Sequence, residues 1–401
     1  MSRRRIDPGM SATTTETKSG GRRARRGKPA AVAAKSHSGI MSHSDRRGLA
    51  LAVSATITAG IFAQAGGNEA IAFIFTALAI AALTNLVGNS IEALGDRIGP
   101  RQTALLQSFF GNIPLFFVLI FAVRDGLYEL AKAAIVGSVL ANVLLITGLG
   151  FFVGGRRHGR QPLSGYLHRQ LMFLTVLSVF IVAIPTAAAE LNLPAAEQIS
   201  QLTFIVALLL FALFALSVFD NLRHRDSRSP MLSSREAYEA KTKAEEHGQW
   251  PLKLAIGMVA LSMGASLAVS YWFIDVLPTA TTQLNMSAAF AGFVIVALAS
   301  NAIENAIGIR LAYNNQPDFA LQVVLQSPVG VIMTLTPLLA LIAPLVGATA
   351  FTLVLSPMMI TALLVAVIVL IVVVTDGEAT WFKGAAMVAL YLAIAASFWW
   401  G

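Results

Sequence analysis

The feature that most constrains this chain is a series of long apolar runs separated by short polar connections. Eleven of them span 49–66, 69–95, 103–123, 131–153, 170–189, 200–221, 252–277, 286–312, 318–346, 349–374 and 382–400. About 20 apolar residues in a helix cross the hydrocarbon of a bilayer. Each run is expected to be helical, because in lipid a spanning segment must satisfy its own backbone hydrogen bonds. The chain is therefore read as an all-α polytopic membrane protein, with the lipid bilayer as its main surroundings. Composition agrees: 12% of the residues are charged, against about 25% in a soluble domain.

The absence of cysteine excludes disulfides and thiolate metal sites. A net charge of +8 could suggest nucleic acid, but many of the basic residues lie in the first fifty positions or in short loops. No specific nucleic-acid binding is expected. Residues 1–47 carry Arg3, Arg4, Arg5, Arg22, Arg23, Arg25, Arg26 and Lys28 among Ser, Thr, Gly and Pro, without apolar periodicity. They read as a disordered basic tail.

Topology follows from basic residues in short loops, which favour the cytoplasmic side. With the tail in the cytoplasm, the loops on that side hold Arg97 and Arg101; Arg156, Arg157, Arg160 and Arg169; Arg223, Arg225, Arg228, Arg235, Lys241, Lys243 and Lys253; Arg310; and Lys383. The outer loops hold Arg124 and Lys132. A bacterial plasma membrane is the expected location. The longest loop, with the acidic amphipathic stretch Ser233–His247, divides the chain.

An internal repeat is visible across that division. Residues 111–138 align without a gap on 300–327, Asn112 falling on Asn301, Ala131 on Ala320 and Ser138 on Ser327, all at an offset of 189. The two copies are an odd number of spans apart, so they enter the membrane in opposite directions. This is the inverted-repeat plan of many transporters. The expected organisation is a tail (1–47), one leading helix (48–68), a first five-helix repeat (69–222), a linker (223–250) and a second five-helix repeat (251–401).

Glu304 lies inside an apolar run, where a charge costs roughly 3 kcal/mol and marks a functional site by default. Asn301 precedes it by three residues, which on a continuous helix puts both on one face. Asn112 is expected to face the same cavity from the other half. Ser138, Asn142, Gln326 and Ser327 add oxygen atoms at the start of the following helices. Carboxylate and carbonyl oxygens suit a hard cation, so Glu304, Asn301 and Asn112 are the candidate metal ligands. Glu92, close to Asp96 and Arg97, fits either the cavity or a surface ion pair. Pro114 and Pro328 fall beside these segments, where broken helices would expose carbonyl groups. No nucleophile–base pair, phosphate loop or histidine cluster points to an enzyme.

These residues carry a resemblance to the calcium/proton antiporters of the calcium:cation exchanger superfamily. Ser300–Asn301–Ala302–Ile303–Glu304 is similar to that family's G-N-A-x-E motif. Glu92 with Arg97–Ile98–Gly99–Pro100, then Phe110–Gly111–Asn112, Gly137–Ser138 and Asn142, fit its first half. The resemblance implies a leading helix, two inverted five-helix repeats, and cation and proton competing for the repeat glutamates. It implies no resident cofactor, only the transported cation, with inorganic cations and protons as partners.

Two departures bear on the ion. Leu115 stands where the first repeat of the family has its glutamate, and Asn305 where a histidine is common. One carboxylate fewer lowers the expected Ca²⁺ affinity, because a divalent ion favours several anionic ligands. Na⁺ or K⁺ then becomes an alternative to Ca²⁺. The same departure supports a second reading, a non-transporting membrane protein that keeps the exchanger fold as a sensor or partner subunit.

Overall fold

The computed structural model describes residues 41, 43–64, 68–98, 106, 110–163, 166–223 and 250–400. Most of the basic tail and the linker loop, including Ser233–His247, lie outside these residues. The helices in order are α1 (His43–Gln64), α2 (Glu69–Ile98), α3 (Ile113–Arg124), α4 (Tyr128–His158), α5 (Tyr166–Glu190) and α6 (Ile199–Arg223). They continue with α7 (Leu252–Gln283), α8 (Ala288–Ser300), α9 (Ala302–Tyr313), α10 (Pro317–Val346), α11 (Pro357–Thr375) and α12 (Trp381–Trp399). Among the described residues nine helices are long and apolar enough to cross a membrane, or ten when the bent pair α8–α9 counts as one span. α3 is a shorter apolar helix, and part of the run expected over 103–123 falls outside the described residues.

Three expectations change. The leading helix starts at His43, five residues inside what reads as tail. The run 286–312 is two helices joined at Asn301 and bent by 67°. The run 349–374 is helical only from Pro357, where Ser356 caps the helix by accepting a hydrogen bond from the Met359 N–H. Hydropathy registers apolar character, and residues 349–356 are apolar without being helical.

The offset of 189 reappears in the backbone. α3 and α9 have the same length and matched ends, Ile113 on Ala302 and Arg124 on Tyr313. The residues before them share their dihedrals: φ −101°, ψ 13° at Asn112 and φ −115°, ψ 17° at Asn301. The turns after them carry left-handed residues at Gly126 (φ 77°) and at the equivalent Asn315 (φ 60°). Glycine and asparagine are the residues that adopt this conformation most readily.

α4 and α10 each contain a π-turn, Ala141–Ile146 and Val331–Leu335. In each, a threonine hydroxyl donates to the carbonyl five residues back: Thr147 to Asn142 O (2.9 Å) and Thr336 to Val331 O (3.0 Å). Packing repeats as well. α12 lies on the second part of α4 as α6 lies on the second part of α10.

Contacts between loops sort the helix ends into two groups. At one end Trp250 Nε1 donates to Asp45 (3.0 Å), Gln161 Nε2 donates to Asn315 Oδ1 (2.9 Å), and β1 (Gln161–Pro162) pairs antiparallel with β2 (Glu378–Ala379). At the other end the Ala70 N–H donates to Gln283 Oε1 (3.1 Å), the Ser287 N–H to Trp399 O (3.0 Å), and Tyr128 meets Phe351. This is the alternation that the span order requires. α3 therefore runs toward one end of the bundle and α9 toward the other, so the repeats are inverted.

The halves meet with little side chain between them. A Cβ at Gly137 on α4 would collide with the Phe293 carbonyl of α8, and one at Gly292 would stand 2.5 Å from the Leu130 carbonyl. Small residues allow such approach in membranes, where van der Waals packing replaces the hydrophobic drive between helices.

Candidate functional site

Asn301 sits at the break between α8 and α9 and is buried, with every polar atom of its side chain engaged. Its Nδ2 donates to Ser138 Oγ of α4 (2.7 Å) and to Ala297 O of α8 (2.9 Å), and its Oδ1 accepts from Ser327 Oγ of α10 (2.8 Å). One asparagine thus ties together the helices that carry Ser138 and Ser327, one from each half. Buried amides need such partners, since an unpaired polar group in an apolar interior costs several kcal/mol.

Glu304 occupies the first turn of α9 and is partly buried, with Oε2 closed off from solvent. The positive end of the helix dipole favours a negative charge there, as the half-helix ends of transporters do for their ions. The break at Asn301 separates it from Glu304, so a shared face on a continuous helix is not what joins them. They meet instead as the residue before the helix and the acid in its first turn.

The first half has the corner without the acid. Asn112 is buried before α3 and lies against α10, with Nδ2 3.6 Å from where a Cβ on Gly330 would stand. Leu115 is 0% exposed and belongs to the main apolar cluster. Pro114 is accommodated at the start of α3, and Pro328 lies within α10 without breaking it; the irregular turn comes after it, at Val331. Neither proline marks the break.

Ser138 and Ser327 lie well inside their helices, not at their starts, and close to the π-turns. Asn142 is fully buried, and its Nδ2 donates to Ser138 O (2.8 Å). Asn305 is buried in the first turn of α9. Glu92 lies partly buried in the last third of α2, which packs on both α8 and α9. No group of three or more His, Asp or Glu side chains able to hold a metal occurs among the described residues.

Two features are not evident from the sequence pattern. His168, 1% exposed, stands with Nδ1 3.2 Å from Asp318 Oδ1 and links α5 to the first turn of α10. The π-turns with Thr147 and Thr336 have a weak signal, because the two threonines sit at the repeat offset.

The family model described as sodium/calcium exchanger protein matches residues 69–221 and 254–400, most of the chain and one block in each half. The chain belongs to the sodium/calcium exchanger protein family. Among its relatives, the Ca²⁺/H⁺ antiporter ChaA of Bacillus subtilis is 28% identical over 333 residues, covering 82% of this chain and 92% of that protein. The Ca²⁺/H⁺ antiporter of Synechocystis is 28% identical over 348 residues, covering 83% and 92%. Among solved structures, native YfkE aligns with a TM-score of 0.70 at 23% identity, covering 88% of this chain and 99% of that one. The H⁺/Ca²⁺ exchanger CAX aligns at 0.64 and 15% identity, covering 89% and 92%. At these identities the structural likeness shows the exchanger fold.

Proposed function

We propose that this protein is a secondary active antiporter that exchanges a cation for protons across a bacterial plasma membrane, with its N-terminus in the cytoplasm. The observation that carries the reading is one carboxylate, Glu304, at the break of a membrane helix, beside an asparagine that ties the two halves together. The names of the relatives support it, and the basic loop residues support the orientation.

Glu304 is the group for which cation and proton compete. When it is protonated, the cation loses its anionic ligand. When it is ionised, the cation neutralises it and lowers the cost of a buried charge. Either form crosses the bundle as the inverted halves rock, and the competition couples the two fluxes. Asn301, Asn112, Ser138, Asn142 and Ser327 shape the site around it, and Glu92 lies on the helix that covers the break. Ca²⁺ is the ion named for the relatives. With Leu115 in the first half, the site offers a single central carboxylate, which suits Na⁺ or K⁺ as well.

The test is an ion panel with the purified protein in liposomes that hold a pH-sensitive dye. A proton flux driven by Ca²⁺, Na⁺, K⁺ or Mn²⁺ supports the reading. No pH change with any of the four ends it.

A further inference from the structure

Two buried amide oxygens, one on α4 and one on α9, have no hydrogen-bond partner among the described residues: Oδ1 of Asn142 and Oδ1 of Asn305. Both side chains are more than nine-tenths buried. The orientation of Asn142 is fixed by its Nδ2, which donates to Ser138 O, so its oxygen points elsewhere. Buried amide oxygens are normally satisfied, and each exception calls for a ligand or a bound water.

The two residues lie on facing surfaces. α9 runs alongside the second part of α4: a Cβ on Gly150 would stand 3.3 Å from Ala312 Cβ, and a Cβ on Gly308 would stand 3.5 Å from Ile146 Cγ2. Further along the same faces, Asn305 is three residues before Gly308 and Asn142 is four before Ile146, and α9 packs against the π-turn that holds Asn142. Positions at this spacing share a helix face. Each half thus supplies one uncommitted carbonyl-type oxygen at the level of Glu304.

We propose that Asn305 is a cation ligand that determines ion preference, completing with Asn142 Oδ1 and the Glu304 carboxylate an oxygen site of net charge −1. The inference rests on the antiport reading and adds a residue to it. Neutral amide oxygens are good donors to hard cations. Two of them with one carboxylate give a cation its oxygen shell without the second negative charge that favours a divalent ion.

The test measures cation-driven proton flux and cation-induced thermal shifts for the wild type, Asn305→Ala, Asn142→Ala and the isosteric Asn305→Asp. Loss of one oxygen in Asn305→Ala or Asn142→Ala is expected to raise the apparent KM for the cation about tenfold and to remove the rise in Tm that the cation produces in the wild type. Asn305→Asp adds a charge without changing shape and is expected to shift preference toward Ca²⁺ over Na⁺. Wild-type KM and unchanged preference in the Asn305 variants, with Glu304→Gln inactive, would overturn the inference and leave the antiport reading intact, as would the orphan oxygens serving bound water only. If the wild type carries no cation, the antiport reading fails and the thermal shift alone decides. A cation-induced rise in Tm that Asn305→Ala abolishes upholds the ligand. An equal rise in the variant, or none in the wild type, overturns it.

Discussion

The chain makes one corner twice, at Asn112 and at Asn301, and the two copies share a shape while differing in chemistry. Backbone angles, helix lengths, the left-handed residue after each short helix and the π-turn in the next helix all agree at an offset of 189. Three residues beyond the asparagine, one copy has Glu304 and the other Leu115. The corner does not need the acid. Its shape comes from the asparagine, the turn and the close packing of helices, and the chemistry is added to it. That separability lets one half hold a leucine where the other holds a carboxylate while the fold stays inverted and paired.

The largest expected effect is on the shared scaffold. Gly137→Ala should cost about 3 kcal/mol or more, because the new Cβ meets backbone of α8 that cannot move aside. Gly330→Ala, whose Cβ would meet only Asn112 Nδ2 at 3.6 Å, should unfold in detergent within a few degrees of wild type. Comparable losses in the two variants would show that the halves do not meet as described.

Leu115→Glu turns the first corner into a chemical copy of the second. Placing that charge in the apolar cluster should cost roughly 3 kcal/mol, read as a lower Tm. In liposomes the same variant should favour Ca²⁺ over Na⁺ more than the wild type does. An unchanged ion preference would mean that Leu115 does not face the cation path.

Asn301→Ala removes the tie to Ser138 and Ser327 and should cost about 2 kcal/mol through the buried groups left unpaired. Asn112→Ala should cost less, since among the described residues its side chain makes no counterpart of the bonds that tie Asn301 to Ser138 and Ser327. Denaturation of the pair in detergent compares them, and equal losses would contradict the asymmetry. The smallest effect belongs to the π-turns. Thr147→Val and Thr336→Val should each cost about 1 kcal/mol, and a marked difference between them would break the equivalence of the two turns.

Much of this arrangement is legible in the sequence. The apolar runs locate most helices, because length and hydropathy are what the bilayer selects. The offset that pairs Asn112 with Asn301 and Ser138 with Ser327 also pairs the backbone. Glu304 stands out as an acid among apolar residues. The break at Asn301 is not legible, because Leu298, Ala299, Ala302 and Ile303 around it continue the apolar run and no proline or glycine marks the corner. Residues 349–356 read as membrane helix for the same reason. The distance of Ser138 from the start of its helix depends on where Tyr128 begins α4, and boundaries are weakly encoded. The uncommitted oxygens of Asn142 and Asn305 depend on packing between α4 and α9, which no local pattern records.

The central claim is that the second corner carries the exchange through one carboxylate. It is tested most directly by the initial rate of cation-driven proton flux in liposomes for wild type and Glu304→Gln, at matched protein and with Tm measured for both. The account predicts a flux in the wild type that falls to the level of empty liposomes in the variant, with Tm preserved or raised. A variant that keeps at least half of the wild-type rate would contradict it.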